Sequence, residues 1–139
     1  MSAAIFEREV LPNIDVFDER NLLIFSVGPL CGTAVPYCGR HFVMAKSPLT
    51  NILGESSSEG YFGKELKSAG FDYIIFKEKS ETPVSLWIND GKAEILDASD
   101  IWGLGIQDTD SKLKEFHGND HIKVAAIGIA GENLVKFAC

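Results

Sequence analysis

The chain has 139 residues, 45% of them hydrophobic, with a net charge of −7 and a pI near 4.9. That length holds one domain at most and buries roughly two thirds of its unfolded surface, which is one core and argues against a disordered chain. The acidic balance repels phosphate backbones, so nucleic acid is not an expected partner, and the longest apolar runs, Leu22 to Val27 and Val124 to Ala130, fall far short of the ~18 residues a membrane span needs.

Residues 1 to 20 carry Arg8 and Arg20 among five acids. They read as an acidic amino-terminal arm, with no secretory signal pattern, and residues 21 to 139 as the folded domain. Leu22 to Val27 predicts a buried strand, ended by Gly28-Pro29. A Gly/Pro/Cys loop runs from Gly28 to Gly39. Arg40 to Lys46 predicts a second strand, broken by Ser47-Pro48. Residues 51 to 60 read as a polar loop ending in Ser56-Ser57-Ser58-Glu59-Gly60. Tyr61 to Ala69 predicts a helix, because Phe62 and Leu66 fall at i, i+4 and Gly70 supplies a left-handed stop.

Tyr73 to Phe76 and Val84 to Ile88 predict strands, and Asn89-Asp90-Gly91 is a hairpin signal leading into Ala93 to Leu96. Asp97 to Trp102 reads as a helical turn. Asp108 to Gly118 predicts a second helix with Leu113 and Phe116 on one face, and Ile122 to Ile127 a last strand. No repeat or low-complexity tract interrupts the pattern. The sum is a strand-rich α+β domain.

The cysteines are Cys31, Cys38 and Cys139. Their odd number and spacing argue against a disulfide framework and for a reducing cytoplasm, and they cannot alone make a four-cysteine iron–sulfur site. The serine run before the helix at Tyr61 has two readings. One serine caps the helix, or the hydroxyls and helix N–H groups hold a phosphate; Glu59 favours the cap. Arg40 is either a surface arginine or a fork onto a phosphate. His117 and His121 have the i, i+4 spacing of a metal pair, but Gly118-Asn119-Asp120 between them reads as a solvated turn. No nucleophile–base pairing follows from spacing, so no catalytic residue is assigned.

The order of several motifs adds a further expectation. Gly28-Pro29-Leu30-Cys31-Gly32-Thr33 is followed by Gly39-Arg40, Lys46-Ser47-Pro48-Leu49-Thr50, Gly60-Tyr61-Phe62-Gly63 and Ala69-Gly70-Phe71-Asp72. Asp97-Ala98, Ile101-Trp102-Gly103 and Ile127-Gly128-Ile129-Ala130-Gly131-Glu132-Asn133-Leu134-Val135 complete the series. In order and spacing the chain resembles, over about residues 20 to 139, the amino-terminal domain of the tungsten-dependent aldehyde ferredoxin oxidoreductases.

The resemblance implies a base of two β-sheets, here truncated on its C-terminal side and lacking the family's opening strands. Such a base seats a bis-pterin tungsten cofactor whose phosphates are bridged by magnesium, in an enzyme that also holds an iron–sulfur cluster and passes electrons from aldehydes to ferredoxin. By resemblance Arg40 contacts a phosphate, Ser57 offers magnesium its backbone carbonyl, and Ser58, Glu59 and Gly60 complete the loop. Glu59 departs from the glycine usual there, adding a side chain and a negative charge. Cys31 and Cys38 take no ligand role. The second half of the cradle, the cluster cysteines and the catalytic residues are expected on another chain, or to have been lost. The rival expectations are a non-catalytic phosphate- or pterin-binding or assembly module, and a structural relic.

Overall fold

A computed structural model describes residues 2 to 138; Cys139 lies outside them. In chain order the elements are α1 (Ser2–Glu9), β1 (Leu23–Val27), β2 (His41–Lys46), β3 (Leu53–Ser58), α2 (Phe62–Ser68), β4 (Tyr73–Phe76), β5 (Val84–Asn89), β6 (Lys92–Asp97), α3 (Ile106–His117) and α4 (Gly128–Glu132). The α+β class is as expected. The chain divides into two compact units, Met1–Lys79 with Ile88–Lys92, and Ser80–Trp87 with Ala93–Cys139.

The first unit is built on an antiparallel sheet of order β3-β2-β1-β4. Its register sorts the side chains. Ile24 lies opposite Met44 and Ile75, and Phe25 opposite Val43 and Ile74. Ile24 and Met44 therefore share one face, and successive residues alternate between the two. On that face Ile24 and Met44 join Val10, Ile14 and Leu22 in a buried cluster, with Ile5, Phe6 and Ile75 packed against it. On the opposite face the Phe62 ring of α2 stands 6.1 Å from Phe25 and 5.0 Å from His41, and Phe25 meets Phe76 edge-on at 5.9 Å.

Residues 2 to 20, expected as an acidic arm, thus include helix α1 and two core members. Local sequence hid this, because Ile5, Phe6, Val10 and Ile14 find their partners only on the distant strands. Buried polar groups pin the segment down. Ser2 Oγ donates to Ser26 Oγ at 2.6 Å. The buried Lys46 ammonium donates to the carbonyls of Pro12 at 2.9 Å and Ile14 at 2.7 Å. Asn21 accepts from Lys46 N–H at 3.1 Å and donates to Val16 O at 2.8 Å.

The polar loop expected over residues 51 to 60 is instead largely strand β3. Its Ser-rich sequence has little strand propensity; pairing with β2 along six positions, from His41 opposite Ser58 to Lys46 opposite Leu53, overrides it. Helix α2 begins where expected, and Gly70 follows it with φ +93°.

β5 and β6 make a two-stranded sheet, of which residues 84 to 87 and 93 to 97 belong to the second unit. The turn residues Asp90 (φ +46°) and Gly91 (φ +79°) belong to the first unit. Positive φ at both positions is what a type I′ hairpin requires, and an Asp-Gly pair meets it cheaply. Gly91 N–H donates to Ala69 O, at the end of α2, at 2.9 Å. Helix α3 ends at Gly118 (φ +61°), whose N–H reaches Glu115 O while Asn119 N–H reaches Lys114 O, the paired bonds of a left-handed cap. The strand expected at Ile122 to Ile127 does not form. Its apolar pattern suits a strand, but among the described residues no neighbouring strand pairs with it, and unpaired extended backbone gains no ladder bonds. A short helix, α4, follows instead.

Candidate functional site

The five residues singled out by resemblance, Arg40, Ser57, Ser58, Glu59 and Gly60, gather at one corner of the sheet, where β2 starts and β3 ends. The β2–β3 register places Ser58 opposite His41 and Ser57 opposite Phe42. One step further the same register puts Arg40 opposite Glu59. Their side chains meet there, with Arg40 Nη2 donating to Glu59 Oε1 in an ion pair exposed on both sides. Ser57 and Ser58 face opposite sides of the strand, and both are exposed.

Glycines let three backbone segments crowd here. A Cβ on Gly39 would stand 2.9 Å from Gly60 O, and one on Gly63 would stand 3.1 Å from Gly39 O. Gly60 has φ +120°, open to glycine alone, and the space where its Cβ would lie is empty. The serine-cap reading is corrected. Ser56, Ser57 and Ser58 lie in β3, the N-cap position of α2 is Tyr61, and α2 has no side-chain capping bond. With only seven residues, α2 is also a poor dipole for an anion.

Beside the corner, His41 Nδ1 is buried without a hydrogen-bond partner. Burial pushes its pKa below the usual histidine value, so the neutral ring is favoured. Gly39, Gly63 and Lys46 stood in the quoted motifs without a site role, and His41 fell only within the second predicted strand. The glycines were legible as a Gly-Arg and a Gly-Tyr-Phe-Gly motif; the burial of the other two was not.

The other candidates are dispersed. Cys31 is buried, and desolvation raises its thiol pKa. Cys38 is half-buried, its thiol near Pro36 O at 3.5 Å. His117 stacks flat on Trp87 with ring centroids 3.6 Å apart, whereas His121 sits in a turn where its N–H donates to Asn119 Oδ1. Chemically, the corner offers a forked guanidinium, exposed hydroxyls and an unobstructed glycine. That suits a phosphate oxygen in every respect except the Glu59 carboxylate.

The sequence model of the family described as aldehyde ferredoxin oxidoreductase, N-terminal domain, matches residues 1–139. The chain belongs to this family. The match takes in residues 1 to 20 as well, beyond the stretch covered by the motifs. The chain is 50% identical over 131 residues to a tungsten-containing aldehyde ferredoxin oxidoreductase of Pyrococcus horikoshii, covering 94% of this chain and 22% of that protein. It is 37% identical to an aliphatic sulfonate oxidoreductase, WOR-like subunit, of Pyrococcus furiosus, covering 90% and 22%. Among solved structures, a chain of the active site complex BamBC of benzoyl coenzyme A reductase, in complex with 1,5-dienoyl-CoA, superposes with a TM-score of 0.93 at 43% identity, covering 95% of this chain and 20% of that one. The chain thus spans about a fifth of the length of the relatives it matches. Within the described residues no helix is long and apolar enough to cross a membrane.

Proposed function

We propose that this chain is the cofactor-seating part of a tungstopterin oxidoreductase that oxidises aldehydes to carboxylates and passes the electrons to ferredoxin. Its identity to tungsten-containing relatives over nearly its whole length carries this reading. Seated there, a tungstopterin would supply the redox centre. In this reading Arg40 grips a pterin phosphate through its forked N–H groups, Gly60 allows the close approach, Ser58 adds a hydroxyl, and Ser57 gives its carbonyl to a bridging magnesium. The iron–sulfur cluster and the catalytic groups come from the remainder of the enzyme. A reducing cytoplasm suits the free thiols Cys31 and Cys38.

The second unit leaves large apolar side chains open: Ile95 is 74% exposed, Phe116 75% and Phe137 75%. That surface is available to further protein, in keeping with a chain that spans about a fifth of its relatives' length. Other domains of the oxidoreductase, or a second copy of the chain, would cover it.

The test is anaerobic co-expression with the domains that complete a full-length relative, in tungstate-supplemented medium. A co-purifying complex with stoichiometric tungsten and aldehyde-dependent dye reduction is expected, while the chain alone stays colourless and inactive. Tungsten and activity in the chain alone would overturn the division of labour. The likeness to the benzoyl coenzyme A reductase chain favours a second reading, in which the same cradle serves an enzyme acting on an aromatic coenzyme A thioester. Dye reduction with 1,5-dienoyl-CoA but not with aldehydes would select it.

A further inference from the structure

We infer that Glu59 is an internal anion that occupies Arg40 and sets how tightly this corner takes a phosphate group. The inference rests on the reading above, in which Arg40 seats a phosphate, and adds a residue that works against that seat. The two side chains are 19 positions apart in sequence and meet because the β2–β3 register aligns them at the strand ends. Directly opposed side chains of opposite charge pair across a sheet. The pair stands in solvent, the Arg40 side chain 50% exposed and Glu59 67%. An ion pair that wet is held weakly and can be exchanged for another anion.

The backbone does not stand in the way of an incoming ligand. Gly60, next to Glu59, presents open space on its Cβ side, and Gly39 and Gly63 keep the strand end and the helix start close together. A phosphate brings more charge and more acceptor oxygens than a carboxylate, so it wins the guanidinium. It must first displace Glu59 and then tolerate the displaced charge nearby. The corner is thus self-competing, with ligand affinity set by the residue next to the glycine and not by the arginine alone.

The experiment is calorimetric titration of the full 139-residue chain with inorganic phosphate, in EDTA, for the parent, Glu59→Gln, Arg40→Ala and the double variant, alongside NMR of the Arg40 guanidinium Nε–H. Glu59→Gln should shift the Arg40 signal and tighten phosphate binding about tenfold, a change of ~1.4 kcal/mol. Arg40→Ala should abolish both the parent affinity and the gain in the double variant. An unmoved Arg40 signal in Glu59→Gln overturns the inference. So does weakened binding in that variant, which would make Glu59 a residue that positions Arg40. If Arg40→Ala weakens binding while Glu59→Gln does nothing, the phosphate seat stands and the inference alone fails. If no variant binds phosphate, both fail together.

Discussion

The two compact units spend their apolar residues differently. In the first, Val10, Ile14, Leu22, Ile24 and Met44 close into a core under one face of the sheet, while Leu66 of α2 is buried on its own. In the second, Ala98 is the one buried hydrophobic among the described residues, and Ile95, Trp102, Ile106, Phe116, Ile129 and Phe137 stand open. The first unit also leaves apolar side chains open, Phe17, Ile52 and Tyr61 among them, so the units differ in having a buried cluster and not in exposure alone. Composition does not explain this, since both units are rich in Ile, Leu and Phe. Strand partners do. The first unit has four strands with a helix on either face; the second has the greater part of β5 and β6 and two helices, and its apolar stretch at 122 to 127 pairs with no strand among the described residues. A sheet of four strands gives side chains a face to close against, while a lone hairpin builds no such core.

The largest expected effect tests that contrast directly. Ile24 is fully buried, at 0% exposure, and Ile24→Ala should cost ~2–5 kcal/mol through lost transfer energy and the cavity left behind. Ile95→Ala, at 74% exposure, should change stability by under ~0.5 kcal/mol, as surface changes do. Urea denaturation of both variants measures the difference. Comparable losses would mean that Ile95 is covered in solution and that the second unit is less open than described.

A middle-sized effect belongs to Lys46, the buried charge of the first unit. It satisfies two carbonyls of the segment before β1, so Lys46→Met keeps the bulk and strands both acceptors. The expected loss is ~1–3 kcal/mol. Hydrogen exchange should show it concentrated in the amides of α1 and of the segment at Pro12 to Ile14. A loss spread evenly over the sheet would mean that Lys46 supports the fold as a whole instead of pinning that segment.

The sequence was legible where structure is local. The apolar runs of β1, β2 and β4, the Phe62/Leu66 spacing of α2 and the Asp90-Gly91 turn each declare themselves within a few residues. It was opaque where partners are distant. Gly54-Glu55-Ser56-Ser57-Ser58 is a strand only because β2 lies beside it, and α1 has a reason to fold only once Ile24 and Met44 are in place. Ile122 to Ile127 fails in the opposite direction, having a strand pattern with no strand to join. The site divides in the same way. Arg40 and Gly60 were recognisable within their motifs, and Glu59 stood out as a departure, but the pairing of Glu59 with Arg40 needed the register and could not come from spacing alone.

The smallest effect concerns His41, whose unpartnered Nδ1 lies on the helix-covered face of the first unit. Burial lowers its pKa from the ordinary value of 6.5. The unfolded chain therefore takes up a proton below pH 6.5 that the folded chain refuses until its own lower pKa is reached. Between those two values the unfolded state binds more protons, so stability falls as pH falls. The carboxylates act in a separate, more acidic window. Lys77 and Arg8 hold Glu9 below its usual 4.5, and Arg20 holds Asp18 at about 2, so what they contribute is lost only as pH falls through those lowered values. His41→Phe keeps a ring against Phe62 while removing both the titration and the orphaned nitrogen. Melting temperatures measured from pH 7 to about pH 5 should fall less steeply in this variant than in the parent, with the two curves running parallel at more acidic pH. An unchanged slope would mean that water reaches Nδ1 in solution, and that this face of the first unit is less tightly closed than the Phe25, Phe62 and Phe76 contacts imply.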